Sequence, residues 1–231
     1  MRILRLTIGL LLAGELWPLR AAEADPLPAG FVHVDQVAPG VQQDLRYATS
    51  ANFVGVPIDG YESGRAILTR EAATALRAVQ TDLAGEGFAL KIFDAYRPQR
   101  AVHHFVRWAR DRSDVATQSE YYPGVAKPRL FAEGYLALES GHSRGSTLDV
   151  TLMKRGGNGA WVEVDMGTPF DFFGPESAPC SDAVTAEQKA NRSRLRAVMA
   201  QHGFEPYDRE WWHFTLRAEP FAETYFDFLV Q

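Results

Sequence analysis

The chain has 231 residues, 46% of them hydrophobic and 23% charged, a folding composition long enough for one large domain. Its formal net charge is -5 with no basic run, which argues against nucleic acid as a partner. The lone Cys180 excludes an internal disulfide, so the fold has to stand on its core alone.

Residues 1–24 read differently from the rest. Arg2 and Arg5 give a short basic start, Ile8 to Leu12 an apolar centre, and Ala22-Glu-Ala24 a small-x-small cleavage site. This is the pattern of a secretory signal peptide, with an apolar centre too short to span a bilayer comfortably. The alternative is an uncleaved anchor. The expected organisation is a signal peptide at 1–24 and a single domain at 25–231, exported, with no stable membrane span after cleavage.

In chain order, Phe31-Val-His-Val34 reads as an extended entry segment, with His33 a surface strand residue. The loop-rich stretch from Asp44 to Tyr61 carries aromatics that could line a cleft. Thr69 N-caps a first helix through Ala72, Leu76, Val79 and Leu83, which Gly85 and Gly87 end. Phe88 to Phe93 alternates as a strand and runs into the turn Asp94-Ala-Tyr-Arg-Pro98. Pro98 then suits the first turn of a second helix with a stripe at Val102, Phe105, Val106 and Ala109. Residues 113–139 are weakly periodic. Leu148 to Leu152 is a strand, and Arg155-Gly-Gly-Asn-Gly159 a hairpin turn into an antiparallel partner at Trp161 to Met166. Thr185-Ala-Glu-Gln188 is a capping box opening a third helix that Gly203 ends, and Trp211 to Leu216 is a core strand. The aromatic tail (Phe221, Tyr225, Phe226, Phe228) is expected to pack on the body. These elements predict an α+β fold, a small antiparallel sheet flanked by about three main helices.

The chemistry concentrates in two stretches. Ser140-Gly-His-Ser-Arg-Gly-Ser146 sets His142 seven residues before Asp149, across a turn whose Gly145, Ser143 and Ser146 let the backbone fold back. Glu210-Trp-Trp-His213 adds an imidazole and a carboxylate. His142, Asp149 and His213 would make a three-ligand zinc site with an open fourth position, leaving Glu210 as a base. On a regular strand Glu210 and His213 face opposite sides, so both reach one ion only if the backbone bends at Trp211. The competing reading pairs Glu210 with Arg209 or Arg217 at the surface and packs His213 in the core. Arg97, at the end of a buried strand, could stabilise an oxyanion or form a salt bridge with Asp94.

His142-x6-Asp149 followed by Glu210-x-x-His213 resembles the zinc D-Ala-D-Ala metallopeptidase superfamily, which includes hedgehog-type domains. Asp94-Ala-Tyr-Arg-Pro98, Glu210-Trp-Trp-His-Phe214 and the Ser140 stretch resemble the VanX-like D-alanyl-D-alanine dipeptidases more narrowly. So do Asp44-Leu-Arg-Tyr-Ala-Thr49, Asn52-Phe-x-Gly55, Tyr121-Tyr-Pro123 and Met166-Gly-Thr-Pro-Phe-Asp171. The resemblance implies one zinc ion per chain on His142, Asp149 and His213. It implies Glu210 as general base and then acid, Arg97 as the transition-state clamp, and Asp171, Tyr47 and Ser140 lining a dipeptide pocket. The implied activity is hydrolysis of the D-Ala-D-Ala dipeptide, in wall-peptide salvage or turnover outside the inner membrane. The rivals are a D,D-carboxypeptidase or endopeptidase acting on longer wall peptides, and a hedgehog-like zinc domain without catalysis. Gly141 stands where the resistance enzymes have a second serine, and the signal segment is foreign to those cytoplasmic proteins.

Overall fold

The computed structural model describes residues 27–231, so the signal segment at 1–24 lies outside the described residues. The main sheet has the order β2-β4-β5-β8-β7, with β6 pairing on β5. Its strands are β2 (Gln42–Gln43), β4 (Phe88–Asp94), β5 (Thr147–Arg155), β6 (Trp161–Glu163), β7 (Phe204–Tyr207) and β8 (Glu210–Leu216). A two-stranded sheet joins β1 (Phe31–His33) to β3 (Ile67–Thr69). The pairings between these strands are antiparallel except β2 with β4, a parallel edge that the alternation pattern did not foretell.

The three expected helices are present as α2 (Arg70–Gly85), α3 (Gln99–Arg110) and α5 (Ala186–Gln201), with single turns at α1 (Val34–Val37) and α4 (Gln118–Tyr121). Thr69 Oγ1 accepts from Ala72 N to open α2, and Thr185 and Gln188 close a reciprocal capping box on α5. Caps of this kind contribute about 1 kcal/mol each. Pro98 stands just before α3 as its N-cap rather than in its first turn. Helices α2 and α5 pack on the sheet and on each other.

Strand β5 is the spine of the molecule. Alternation puts Leu148, Val150 and Leu152 on one face, all fully buried, and Thr147, Asp149 and Thr151 on the other. The aromatic tail docks as anticipated: Phe221, Phe226 and Phe228 pack around Phe31, and Phe228 stacks on Tyr96. Among the described residues no helix is long and apolar enough to cross a membrane.

Candidate functional site

Both strands beside β5 lose their regularity at the same level. In β4 the register steps from Ile92↔Val150 to Asp94↔Asp149, leaving Phe93 as an extra residue. Without that bulge Asp94 would share the face of Ile92; the extra residue turns it to the side of Asp149. In the β7–β8 hairpin the register jumps from Pro206↔Phe214 to Tyr207↔Glu210, so Trp211, Trp212 and His213 bulge out. This is the bend that Glu210 and His213 require, and Glu210 Oε2 lies 3.7 Å from His213 Nδ1. Asp94, Asp149 and His213 thereby form a row across three neighbouring strands.

His142 arrives from the turn before β5. Gly145 closes that turn at φ +84°, and a Cβ there would overlap the Phe31 ring, so both conformation and space demand glycine. Gly145 O accepts from Thr69 N at 2.7 Å, and Ser146 Oγ sits 2.8 Å from Thr69 Oγ1, which ties the turn to the start of α2. His142 Nδ1 lies 2.7 Å from Ala95 O, which fixes the tautomer with Nδ1 as donor and leaves the Nε2 lone pair facing the row.

His142 Nε2 is 3.3 Å from His213 Nδ1 and 3.4 Å from Asp149 Oδ2, and His213 Nδ1 is 3.1 Å from Asp149 Oδ1. Tetrahedral ligands bound at about 2.0–2.1 Å stand about 3.3 Å apart, so these three side chains could hold a metal ion. Two further observations fit a cation. Asp149 Oδ1 is buried without a hydrogen-bond partner. Burial and the Asp149 charge push the Glu210 and Asp171 carboxyls well above the usual range, so this crowd of acids lacks positive charge. Burial alone would raise Asp149 too, but the two imidazoles hold it well below the usual range.

The remaining expected residues converge on the same pocket of about 180 Å³, which His142, Asp149, Glu210 and His213 also line. That is small beside the roughly 300–1,000 Å³ of pockets for drug-sized ligands. Tyr47 Oη donates to Asp171 at 3.0 and 3.2 Å from its two oxygens, deep in the wall. Asp171 is held at φ 62°, a left-handed conformation that aspartate tolerates better than most residues. Ser140 Oγ accepts from His142 N at 3.3 Å while lining the pocket. A Cβ on Gly141 would come within 2.7 Å of Thr147 Oγ1, so a second serine at that position would displace Thr147.

Arg97 forms the expected salt bridge with Asp94 and also lines the pocket. Its Nε donates to Asp94 Oδ2 at 2.9 Å, while its guanidinium lines the pocket over the rings of Tyr47 and Phe105, with Nη2 3.6 Å from Asp149 Oδ2. The surface pairing of Glu210 with Arg209 or Arg217 is not what forms: Glu210 is buried, and Arg217 pairs with Glu205. Residue-level reading missed Asp94 as part of this cluster, and Tyr135, Leu136 and Tyr207 as pocket wall. The Asp-x-x-Arg spacing carried the signal for Asp94; Tyr135 and Leu136 sit in aperiodic chain, and Tyr207 ends a strand, β7, too short to show a period.

Comparison with known proteins gives the family. Residues 28–231 match the M15 peptidase family model described as D-ala-D-ala dipeptidase. D-alanyl-D-alanine dipeptidases from Enterococcus faecium and Enterococcus faecalis are 40% and 42% identical to the chain, each match covering 87% of this chain and 98% of the relative. The enzyme of that name from Streptomyces coelicolor is 42% identical over the same shares. The chain belongs to the D-Ala-D-Ala dipeptidase family of M15 peptidases.

Proposed function

We propose that the chain hydrolyses the D-Ala-D-Ala dipeptide to two D-Ala with one zinc ion held by His142, Asp149 and His213. The observation that carries this reading is the tetrahedral spacing of three donor groups beside a buried carboxylate that is not needed as a ligand. Two imidazole nitrogens and one carboxylate oxygen are a donor set typical of catalytic zinc. When bound, the ion supplies Lewis acidity toward water and the scissile carbonyl.

The chain's own groups do the rest. Glu210, its carboxyl raised by burial, takes a proton as water adds to the carbonyl carbon. Arg97 donates to the oxygen on which negative charge develops. As the C–N bond breaks, Glu210 returns the proton to the leaving amine, and two free amino acids result. Asp171, braced by Tyr47, faces the ammonium of the dipeptide, and the Ser140 hydroxyl oxygen accepts a hydrogen bond from it. The small pocket and the buried acid favour a short substrate with a free amine.

Residues 25–231 would act as one domain after removal of the 1–24 signal segment. The activity then lies outside the inner membrane, where it suits recovery of dipeptide released from the wall. Fractionation of cells expressing the full chain tests this: protein retained in the cytosol at full length contradicts export.

The deciding assay supplies zinc-replete protein with free D-Ala-D-Ala and, in parallel, an N-acylated peptide ending in D-Ala-D-Ala. Turnover of the free dipeptide alone is expected. Turnover of the blocked peptide alone would assign a carboxypeptidase, and no turnover of either would assign a non-catalytic zinc domain. Glu210→Ala is expected to keep zinc and to lose about 10²–10⁴-fold in kcat, the usual size of a general acid–base contribution.

A further inference from the structure

Asp94 is fully buried, stands outside the pocket lining, and yet holds two of the groups that work there. Its Oδ1 accepts from Tyr61 Oη at 2.6 Å. Its Oδ2 accepts from Arg97 Nε at 2.9 Å, lies 2.9 Å from Arg97 Nη2, and is 3.3 Å from His142 Nδ1. The His142 Nδ1 hydrogen has a nearer acceptor in Ala95 O at 2.7 Å, so the strong partner of Asp94 is Arg97. The other carboxylate within ion-pair reach of Arg97, among the described residues, is Asp149, with Nη2 3.6 Å from Oδ2.

We infer that Asp94 is a positioning residue: it keeps the Arg97 guanidinium at the pocket wall and off Asp149, so that the Asp149 carboxylate stays available to the metal ion. This rests on reading His142, Asp149 and His213 as the metal centre. The physical reason is that a guanidinium withdrawn from water and stripped of its paired carboxylate turns to the nearest remaining acceptor. With Asp94 neutralised, Asp149 is the next carboxylate, and less than an ångström of movement makes a full ion pair with it. Arg97 would then compete with the metal for one oxygen and set a like charge beside it. Tyr61 keeps Asp94 in place from behind, and is itself fixed by its bridge to Val230 in the C-terminal tail.

The test compares Asp94→Asn, Arg97→Ala and the double variant, reading zinc affinity by competition with a chelator and kcat and KM for D-Ala-D-Ala. Asp94→Asn is expected to bind zinc about 10–100-fold more weakly, the usual effect of losing a residue that orients a metal ligand. Most of that loss should be recovered in the double variant, because the competing cation is gone. The kcat cost of Asp94→Asn should likewise nearly vanish in the Arg97→Ala background, with KM little changed. Equal loss of zinc affinity with and without Arg97, or no loss, overturns the inference. Should Asp94→Asn fail to fold, Tyr61→Phe removes one hydrogen bond from the same carboxylate. A few-fold loss of zinc affinity is expected there too, and an unchanged affinity counts against it. Wild-type protein that binds zinc but leaves the dipeptide intact would defeat the substrate reading while the zinc measurements still decide the role of Asp94. Wild-type protein that binds no zinc would defeat both.

Discussion

Two of the described arginines, Arg97 with its side chain 12% exposed and the buried Arg192, have surroundings of opposite character. Arg97 sits among carboxylates, 2.9 Å from Asp94 and 3.6 Å from Asp149. Arg192 donates only to neutral oxygens: Met166 O at 2.6 Å, Ala178 O at 2.7 Å and Glu176 O at 2.8 Å, with Thr168 Oγ1 at 3.4 Å. Burial lowers the affinity of both for a proton, but the acids around Arg97 reverse this and raise it well above the ordinary value. Arg192, with only Asp165 to oppose burial, falls to about 10. The first guanidinium is held among carboxylates, and on the proposed mechanism it faces the oxygen on which charge develops. The second is used as a rigid fork that gathers three backbone carbonyls of the loop carrying Asp171.

That contrast predicts effects in different observables. Arg97→Ala removes a donor to the developing oxyanion, so kcat should fall about 10²–10³-fold, or about 2.7–4 kcal/mol, with zinc still bound. Stability should change much less, because the alanine also frees Asp94 to be protonated, and burial already raises its pKa. Steady-state kinetics beside a urea melt separate the two quantities. A kcat within a few-fold of wild type would place Arg97 with Arg192, as a brace.

Arg192→Met is the mirror experiment. Three carbonyls lose their donor, at about 1–3 kcal/mol for each one that water cannot reach, so a loss of roughly 2–4 kcal/mol in unfolding free energy is expected. The folded fraction should keep its kcat. KM should rise, because the 166–178 loop sets Asp171 against Tyr47. Its other ties, Trp211 Nε1 to Thr168 Oγ1 and Ser177 Oγ to Phe172 O, limit the displacement. A collapse of kcat with unaltered KM would show that Arg192 reaches the chemistry after all.

The two arginines also differ in how far the sequence announced them. Arg97 stood out because a cation between Tyr96 and Pro98, at the end of an apolar strand, has few bland explanations. Arg192 lies inside a helix of ordinary polar composition, and its role depends on a loop more than a dozen residues upstream. The same divide runs through the site. His142 and Asp149 were legible because glycine and small residues mark a fold-back before an apolar strand. The convergence of Glu210 with His213 was legible only as a condition, since the three-residue bulge that satisfies it comes from pairing with β7 and leaves no trace in the alternation. The bulge at Phe93 was not legible at all, and neither was the part Asp94 plays beside His142. The helices and their caps were read nearly to the residue, because local hydrogen bonding decides them. The parallel edge of Gln42–Gln43 is two polar residues long, too short to carry a period.

The smallest effect belongs to a third arginine, which repeats the carboxylate pairing of Arg97 at the surface. Arg65 donates from Nε and Nη2 to the two oxygens of Asp35 at 2.8 and 2.9 Å, with both side chains well exposed. The hydrogen bond to Arg65 lowers the Asp35 carboxyl below its ordinary value, against a smaller opposing push from burial. A carboxylate lowered in the folded state contributes stability that is present above its unfolded pKa, near 4, and is lost as pH falls through the folded value. Arg65→Ala should therefore reduce stability near neutral pH by no more than about 0.2–1 kcal/mol, the range of exposed ion pairs. The difference from wild type should shrink below pH 4 and in high salt, and kcat should not move. Urea melts at pH 7 and pH 3 measure it. A loss as large as that of Arg192→Met would mean that ideal fork geometry outweighs solvent screening. The partners of Arg97 would then owe their strength to geometry rather than to burial.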